Sequence, residues 1–403
     1  MNVLIIGFWG VEDPLTRASL MPTVHMLLDL QLARKVVLAT VERGTGKAFH
    51  PSSPDVEWIP LPASNVQPRA LARAIDMVRM KRKLVGIVRQ RSIQCIIART
   101  SMAGNLALWV SQATKVPFIV ESFEPHTAYM VESGVWSARG SFAIFAQWME
   151  RLQMKRAFRL ICVTRNYQRE LVRQGIPPER LDCVPSPVDL NKFKFEQDVR
   201  QKLRHQLDWN DRIIAVYVGK FGGIYHALHA YRTFKKFHDR FGDRARSMIL
   251  TPTPRPQVEQ GMIDAGVPMD HIIIKRMDPD DIPRYLSAAD LAFSLHRNTP
   301  SSRFLSPIKN GEYWANGLPI LQSRGVSDDS DIIHEHLEGG ALFDPAGDDV
   351  IIALERIEHL LQAPGQRYRT MELAAKFRPP DRLGAVYQGI FQELWAKADR
   401  SLP

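Results

Sequence analysis

The residues of this chain best spaced for chemistry run from Ser306 to Ile320: Ser-Pro-Ile-Lys-Asn-Gly-Glu-Tyr-Trp-Ala-Asn-Gly-Leu-Pro-Ile. Ser306 and Pro307 are helix-start residues, so a helix is expected with Lys309 in its first turn and Glu312 one turn beyond Ile308 or Lys309. Free backbone amides and an ammonium then stand together, a pairing suited to a diphosphate. The Glu312 carboxylate could accept two hydroxyls of a ribose. Gly317 ends the helix and Pro319 opens the next strand. An ordinary helix with ordinary caps fits the same residues.

Further candidates stand at the ends of apolar runs. Gly7-Phe8-Trp9-Gly10 closes the first run and leads toward a helix expected around Met26 to Leu32. Backbone amides beside glycine can approach a phosphate closely, although GxGxxG is absent and a simple tight turn is the alternative. Glu42 ends the second run. Glu121-Ser122-Phe123-Glu124-Pro125-His126 follows the run PFIVE, and the carboxyl ends of strands are where open α/β sheets collect functional groups. A solvated loop histidine is the bland alternative there.

Other patterns point away from chemistry. Gly44-Thr45-Gly46-Lys47 is followed by Ala48 where a phosphate loop needs Ser or Thr, so it reads as a surface loop. Asp278-Pro279-Asp280-Asp281 precedes Ile282-Pro283-Arg284-Tyr285-Leu286 and suits a helix cap better than a metal site. His334 and His336 are two apart, which fits neither one helix face nor a HExxH zinc site. GxSxG and CxxC do not occur, which removes support for that hydrolase type and for a zinc ribbon.

Short Val- and Ile-rich runs must position these groups: VLII at Val3, VVLATV at Val36, VEWI at Val56, IQCIIA at Ile93, PFIVE at Pro117, LICVT at Leu160, IIAVYVG at Ile213, SMILT at Ser247, HIIIK at His271, DLAFSL at Asp290, LPIL at Leu318 and ALF at Ala341. Such runs, alternating with helical periodicity, predict parallel strands buried on both faces. Twelve are too many for one ordinary sheet. The expected fold is therefore α/β with two doubly wound domains. The 403 residues agree at about 150 per domain. Pro185-Ser186-Pro187 marks the boundary: residues 1–186 form one domain and 187–378 the next. After Arg378-Pro379-Pro380-Asp381, residues 379–403 hold a helix striped with Leu383, Val386, Tyr387, Ile390, Phe391, Leu394 and Trp395. That stripe is expected to pack back on the first domain.

The formal net charge of +10 favours an anionic partner. Cys95, Cys162 and Cys183 are odd in number and sit in apolar runs, as buried thiols in a reducing compartment would. No stretch has the ~18–20 apolar residues of a membrane span, and NVLIIGFWGV reads as a strand and not a signal peptide. A cytoplasmic protein is expected.

On the Ser306–Ile320 pattern, a Ser-x-x-Lys turn before a helix carrying Glu and then Ala-x-Gly-x-Pro, the chain resembles the family 4-like retaining glycosyltransferases of the GT-B fold, the glycosyl transferases of group 1. Val163-Thr164 with Asn166 through Gly175, then Pro177–Val184 and Pro187-Val188-Asp189 with Phe193, resembles that family's interdomain segment. Val218-Gly219-Lys220-Phe221 is similar to its phosphate-contacting strand end, and Ile282–Phe293 to its helix–strand unit before the donor site. The likeness lies mostly in residues 160–345; the first domain is similar in layout only.

The resemblance implies two Rossmann-like domains facing a central cleft, and transfer of a sugar from a nucleotide-diphosphate donor with retention, without metal or cofactor. The acceptor would be a glycan or lipid-linked sugar of a surface polysaccharide, with no nucleic acid as partner. It implies catalytic roles for His126, Lys220 and Lys309. Donor contacts would come from Gly10, Gly219, Lys220, Met277, Ser306, Pro307, Ile308, Lys309 and Glu312, with Glu312 on the ribose and the two lysines on the leaving diphosphate. Glu121, Glu124 and Glu132 flank His126, and any of them could contact the acceptor instead.

Two departures stand out. Phe304 occupies the place of another glutamate of the family, and Tyr225 and His226 fall where a second basic residue is usual. A nucleotide-sugar 2-epimerase of the same fold and a non-catalytic sugar- or nucleotide-binding protein are the competing readings. Arg69, Arg73, Arg79, Lys81, Arg82, Lys83, Arg89 and Arg91 interleave with apolar residues, and Arg151, Lys155, Arg156 and Arg159 follow the apolar Phe142–Met149. Either an anionic membrane surface, on its inner face, or plain solvation accounts for them.

Overall fold

The computed structural model describes residues 1–399 apart from 14–15, 45–48 and 65–68. Thr45 to Lys47 of the GTGK loop, and the side chains of Arg69 and Arg73, lie outside the described residues. The chain divides into two compact units. One comprises Met1–Thr127, Ala138–Val184 and Asp381–Pro403; the other comprises Ala128–Ser137 and Pro185–Pro380.

The first unit holds a parallel seven-stranded sheet of β1 (Asn2–Gly7), β2 (Lys35–Glu42), β3 (Val56–Pro62), β4 (Cys95–Arg99), β5 (Phe118–Phe123), β6 (Arg159–Cys162) and β7 (Leu181–Cys183), in the order β3-β2-β1-β4-β5-β6-β7. Val3 to Ile6 of β1 are wholly buried, as expected of a strand covered on both faces. β7, only three residues long with one buried on each side of Asp182, carries too little apolar pattern to read from sequence. The first helix is Met21–Asp29, earlier than Met26 to Leu32, because Pro22 falls in its first turn. The terminal helix Arg382–Asp399 packs Leu383, Tyr387, Ile390, Phe391 and Leu394 into the cluster of Val3, Ile5, Val24 and Leu27. The three cysteines are buried thiols, and burial pushes Cys95 up to about 12.

The second unit holds a parallel six-stranded sheet of β8 (Ile213–Val218), β9 (Ala245–Leu250), β10 (Ile272–Lys275), β11 (Leu291–Ser294), β12 (Ile320–Ser323) and β13 (Gly340–Phe343), in the order β10-β9-β8-β11-β12-β13. Two apolar clusters cover its faces. Both sheets place β1 or β8 centrally, so the loops after these strands meet the loops after β4 and β11 at the carboxyl edges. No helix among the described residues is long and apolar enough to cross a membrane.

The acidic run before Ile282 is not a simple cap. Asp281 is the N-cap residue but its side chain bonds no amide. Instead Asp278 accepts from the Asp280 N–H at 3.1 Å, and Asp280 pairs with Lys192 at 2.5 Å.

Candidate functional site

In the second unit, β8 runs out into Gly219 and the helix Ile308–Ala315 begins nearby. Gly219 has φ +142°, a backbone region that side chains avoid. A Cβ there would stand 3.3 Å from Lys309 Nζ. The Lys309 ammonium is buried and has no hydrogen-bond partner. It lies 4.5 Å from the Tyr225 ring centroid and 4.9 Å from that of Tyr217, contacts that offset part of its lost hydration. Burial still pushes its pKa down to about 7, against the pull of Glu312. Glu312 mirrors it. Burial pushes its carboxyl up to about 7, with Lys192 and Lys309 acting the other way, and its side chain has no hydrogen-bond partner among the described residues.

Two histidines complete the surroundings without adding charge. Burial first, then His229 and Arg297, hold His226 down to about 4, so it is neutral near pH 7 and supplies no second cation. His296, its ring tilted against that of Tyr225 with centroids 4.7 Å apart, is pushed well below the usual range by burial, Lys309 and His226. Lys220 is exposed at the strand end, and its carbonyl accepts from the Tyr217 hydroxyl. Met277 is half-buried, packed against the cluster that includes Tyr313 and Trp314. Pro307 is the N-cap residue and Ile308 the first helical one.

Ser306 does not cap the helix. Its Oγ accepts from the Ser186 N–H at 2.9 Å and from Arg378. Arg378 is almost wholly buried and donates to Asp329 at 2.6 Å and to the Ser186 carbonyl at 3.3 Å. Asp329 also accepts from Asn310 at 2.7 Å, and Asn310 reaches Gln322 at 2.7 Å. This network holds the turn that launches the helix. Sequence reading missed it: Arg378 looked like part of a Pro-Pro break, and Asn310 carried no role. Glu132, expected at an acceptor, instead accepts from the Ser301 N–H at 2.8 Å and Oγ at 2.5 Å, both within this unit.

In the first unit, Gly10 packs against Glu42: an added Cβ would come within 2.6 Å of its carboxylate. Glu42 accepts from the Val11 N–H at 3.0 Å and from the Thr40 hydroxyl at 2.5 Å, and so ties the glycine loop to β2. The amide of Val11 is thereby taken. His126 opens the helix His126–Glu132, its Nδ1 3.6 Å from Glu124. Burial opposes its protonation, but Glu124 and Glu150 outweigh it and the pKa rises. Glu150, itself buried, accepts from the Thr127 N–H at 3.1 Å and hydroxyl at 2.9 Å, taking the place of an N-cap for that helix. Its position in the middle of another helix hid this role. Glu121 is not available to an acceptor: at 2% exposure it binds Arg99, Thr23 and, at 2.7 Å, Tyr387.

Two neighbouring strand ends of this sheet carry residues with positive φ, Thr100 at +71° and Ser122 at +54°. Such strain collects at functional edges.

Compared with known proteins, residues 23–187 match the glycosyl transferase 4-like domain model. That match falls on the first half, whereas the motif likeness fell mainly on residues 160–345. No curated protein matches the sequence. Among solved structures, sucrose-phosphate synthase from Thermosynechococcus elongatus is similar at TM-score 0.77 and 14% identity, over 98% of this chain and all of that one. HepE of Anabaena in complex with UDP-glucose is similar at TM-score 0.70 and 12% identity, over 98% of this chain and 100% of that one. WaaG, a glycosyltransferase involved in lipopolysaccharide biosynthesis, gives TM-score 0.69 and 12% identity over 96% of this chain and 100% of its own.

Proposed function

From two premises, the GT-B fold and a glycosyl transferase 4-like domain matched over residues 23–187, we propose that this chain is a retaining, metal-independent glycosyltransferase that moves a hexose from a UDP-linked donor. The UDP and UDP-glucose complexes of HepE support that donor class. The acceptor is a glycan or a lipid-linked sugar of a surface polysaccharide.

One observation carries the donor reading. Lys309 is buried without a hydrogen-bond partner, and the half-buried Glu312 of opposite charge stands one turn on, beside a strand end whose backbone favours glycine. Burying such an ammonium unpaired is costly unless a ligand completes it. A nucleoside diphosphate does so: its phosphates pair with Lys309 and with the free amides at Ile308, and its ribose hydroxyls donate to Glu312. When the bond from the anomeric carbon to the diphosphate oxygen breaks, negative charge grows on that oxygen. A desolvated ammonium held in place is worth more there than in water. Lys220 adds a second, exposed cation, and Gly219 leaves the room. Met277 sits toward the base, and Ser306 with Pro307 sets the turn. His126 is the catalytic histidine of this reading, its protonated form opposed by burial but favoured on balance by Glu124 and Glu150.

Calorimetric titration with UDP, GDP, ADP and CMP tests this. UDP is expected to bind, and Glu312→Ala to weaken it about 10- to 100-fold, the worth of two hydrogen bonds to a carboxylate. Absence of binding by all four to a folded sample overturns the reading. A UDP-hexose converted to another sugar without acceptor would assign the 2-epimerase, and binding without turnover the non-catalytic protein.

A further inference from the structure

The helix Ser141–Arg156 of the first unit has an inner and an outer face of different kinds. Ala143, Ala146, Met149, Glu150 and Gln153 point inward and are buried. The outer face carries Phe142, Ile144, Phe145 and Trp148, with Ile144 59% and Trp148 52% exposed. Water-facing aromatic and aliphatic side chains in one patch mark a contact surface more often than chance exposure. Phe145 stacks edgewise on Trp109 of the helix Thr100–Thr114 at 6.3 Å and lies 6.0 Å from Trp148, so the patch is a fixed aromatic cluster.

The charge around it names the partner. Ile144, Trp148, Arg151 and Lys155 fall at i, i+4, i+7 and i+11, one stripe that turns from apolar to basic along the axis. Arg151, Lys155 and Arg156 are all exposed and form no ion pair with an acidic side chain among the described residues. The helix Arg69–Gln90 repeats the design. It packs against the same helix Thr100–Thr114, and its exposed stripe runs Ile75, Val78, Arg79 and Arg82. Apolar side chains inserting at a polar boundary, ringed by lysine and arginine, fit an anionic lipid surface. A soluble acidic protein would use the charge but gives no reason for two separate apolar patches in one helical layer.

We propose that this helical layer of the first unit is a membrane-docking face for anionic lipid, with Ile144 and Trp148 as its inserted anchors and Arg151 and Lys155 as headgroup contacts. This goes beyond the donor-site reading and stands without it.

Flotation of the full chain with vesicles tests it, comparing phosphatidylcholine alone with phosphatidylcholine plus phosphatidylglycerol at low salt. The protein floats with the anionic vesicles only. The double variant Ile144→Ser/Trp148→Ser partitions at least about tenfold less, as expected for removing large apolar side chains from an interface. Arg151→Gln/Lys155→Gln loses the anionic preference and its salt dependence. UDP titration of both variants reports separately on the donor site and on folding. No flotation of the wild type, or flotation that neither variant changes, overturns the proposal. So does a wild-type dimer that Ile144→Ser/Trp148→Ser splits while lipid binding is absent, which would assign the face to a second copy.

Discussion

Two buried cations of the second unit stand at the start of the same helix, Lys309 within its first turn and Arg378 against it, and are treated in opposite ways. Arg378 places two of its nitrogens on Asp329, Ser306 and the Ser186 carbonyl, leaving only Nε without a partner. Lys309, one helical turn past Ser306, has two aromatic rings and no acceptor. The difference separates scaffold from site. A buried charge whose partners are supplied by the chain holds a shape, while one left incomplete awaits something from outside. The scaffold cation also serves the other, because its bond to Ser306 fixes the turn from which the helix starts.

Removing each cation should separate them further. Arg378→Ala leaves Asp329 buried and uncompensated, and should cost about 3–5 kcal/mol of stability in denaturant unfolding. A loss under about 1 kcal/mol would put the two cations in one class. Lys309→Met should do the reverse. Nucleotide affinity falls about 30- to 100-fold in calorimetry, as charge-assisted bonds to phosphate are lost. Its unfolding midpoint holds or rises, since an unpaired buried charge has been removed. A variant that unfolds instead would mark Lys309 as structural.

The smallest effect is on pH. The free protein holds Lys309 and Glu312 both near 7. Diphosphate needs the lysine charged, so affinity falls as pH rises above 7. Ribose needs the carboxylate ionised, so affinity falls as pH drops below 7. UDP affinity should therefore peak near neutrality and lose up to about tenfold per unit on each side. Lys309→Met should keep the acid limb and lose the alkaline one. A profile flat from pH 6 to 8 would show that the pair does not meet the nucleotide.

Legibility followed the range of the interaction. The Ser306–Gly317 spacing shows a helix start, a first-turn lysine and a helix end because these depend on neighbours within a turn or two. Gly219 was readable as a strand end, but not as the wall against which Lys309 lies. Arg378 meets Asp329 across 49 residues and was invisible, since no local pattern distinguishes a buried arginine from a surface one beside two prolines. Glu150 looked like one polar residue in an apolar helix, yet it holds the first turn of another. Glu42 ended a strand, and only the pairing of β1 with β2 brought it under the glycine loop.

By itself, then, the sequence determined the apolar runs that become two parallel sheets, the helices between them and the residues at their carboxyl ends. Periodicity and caps are local, and they repeat whatever the distant chain does. Only the tertiary structure decided which charges found partners. It buried Lys309 without any, joined Arg378 to Ser306, and left Ile144 and Trp148 facing out. Those outcomes depend on strand order and on which helix covers which face. A side chain's solvation is set by atoms far along the chain, and the residues next to it in sequence do not encode it.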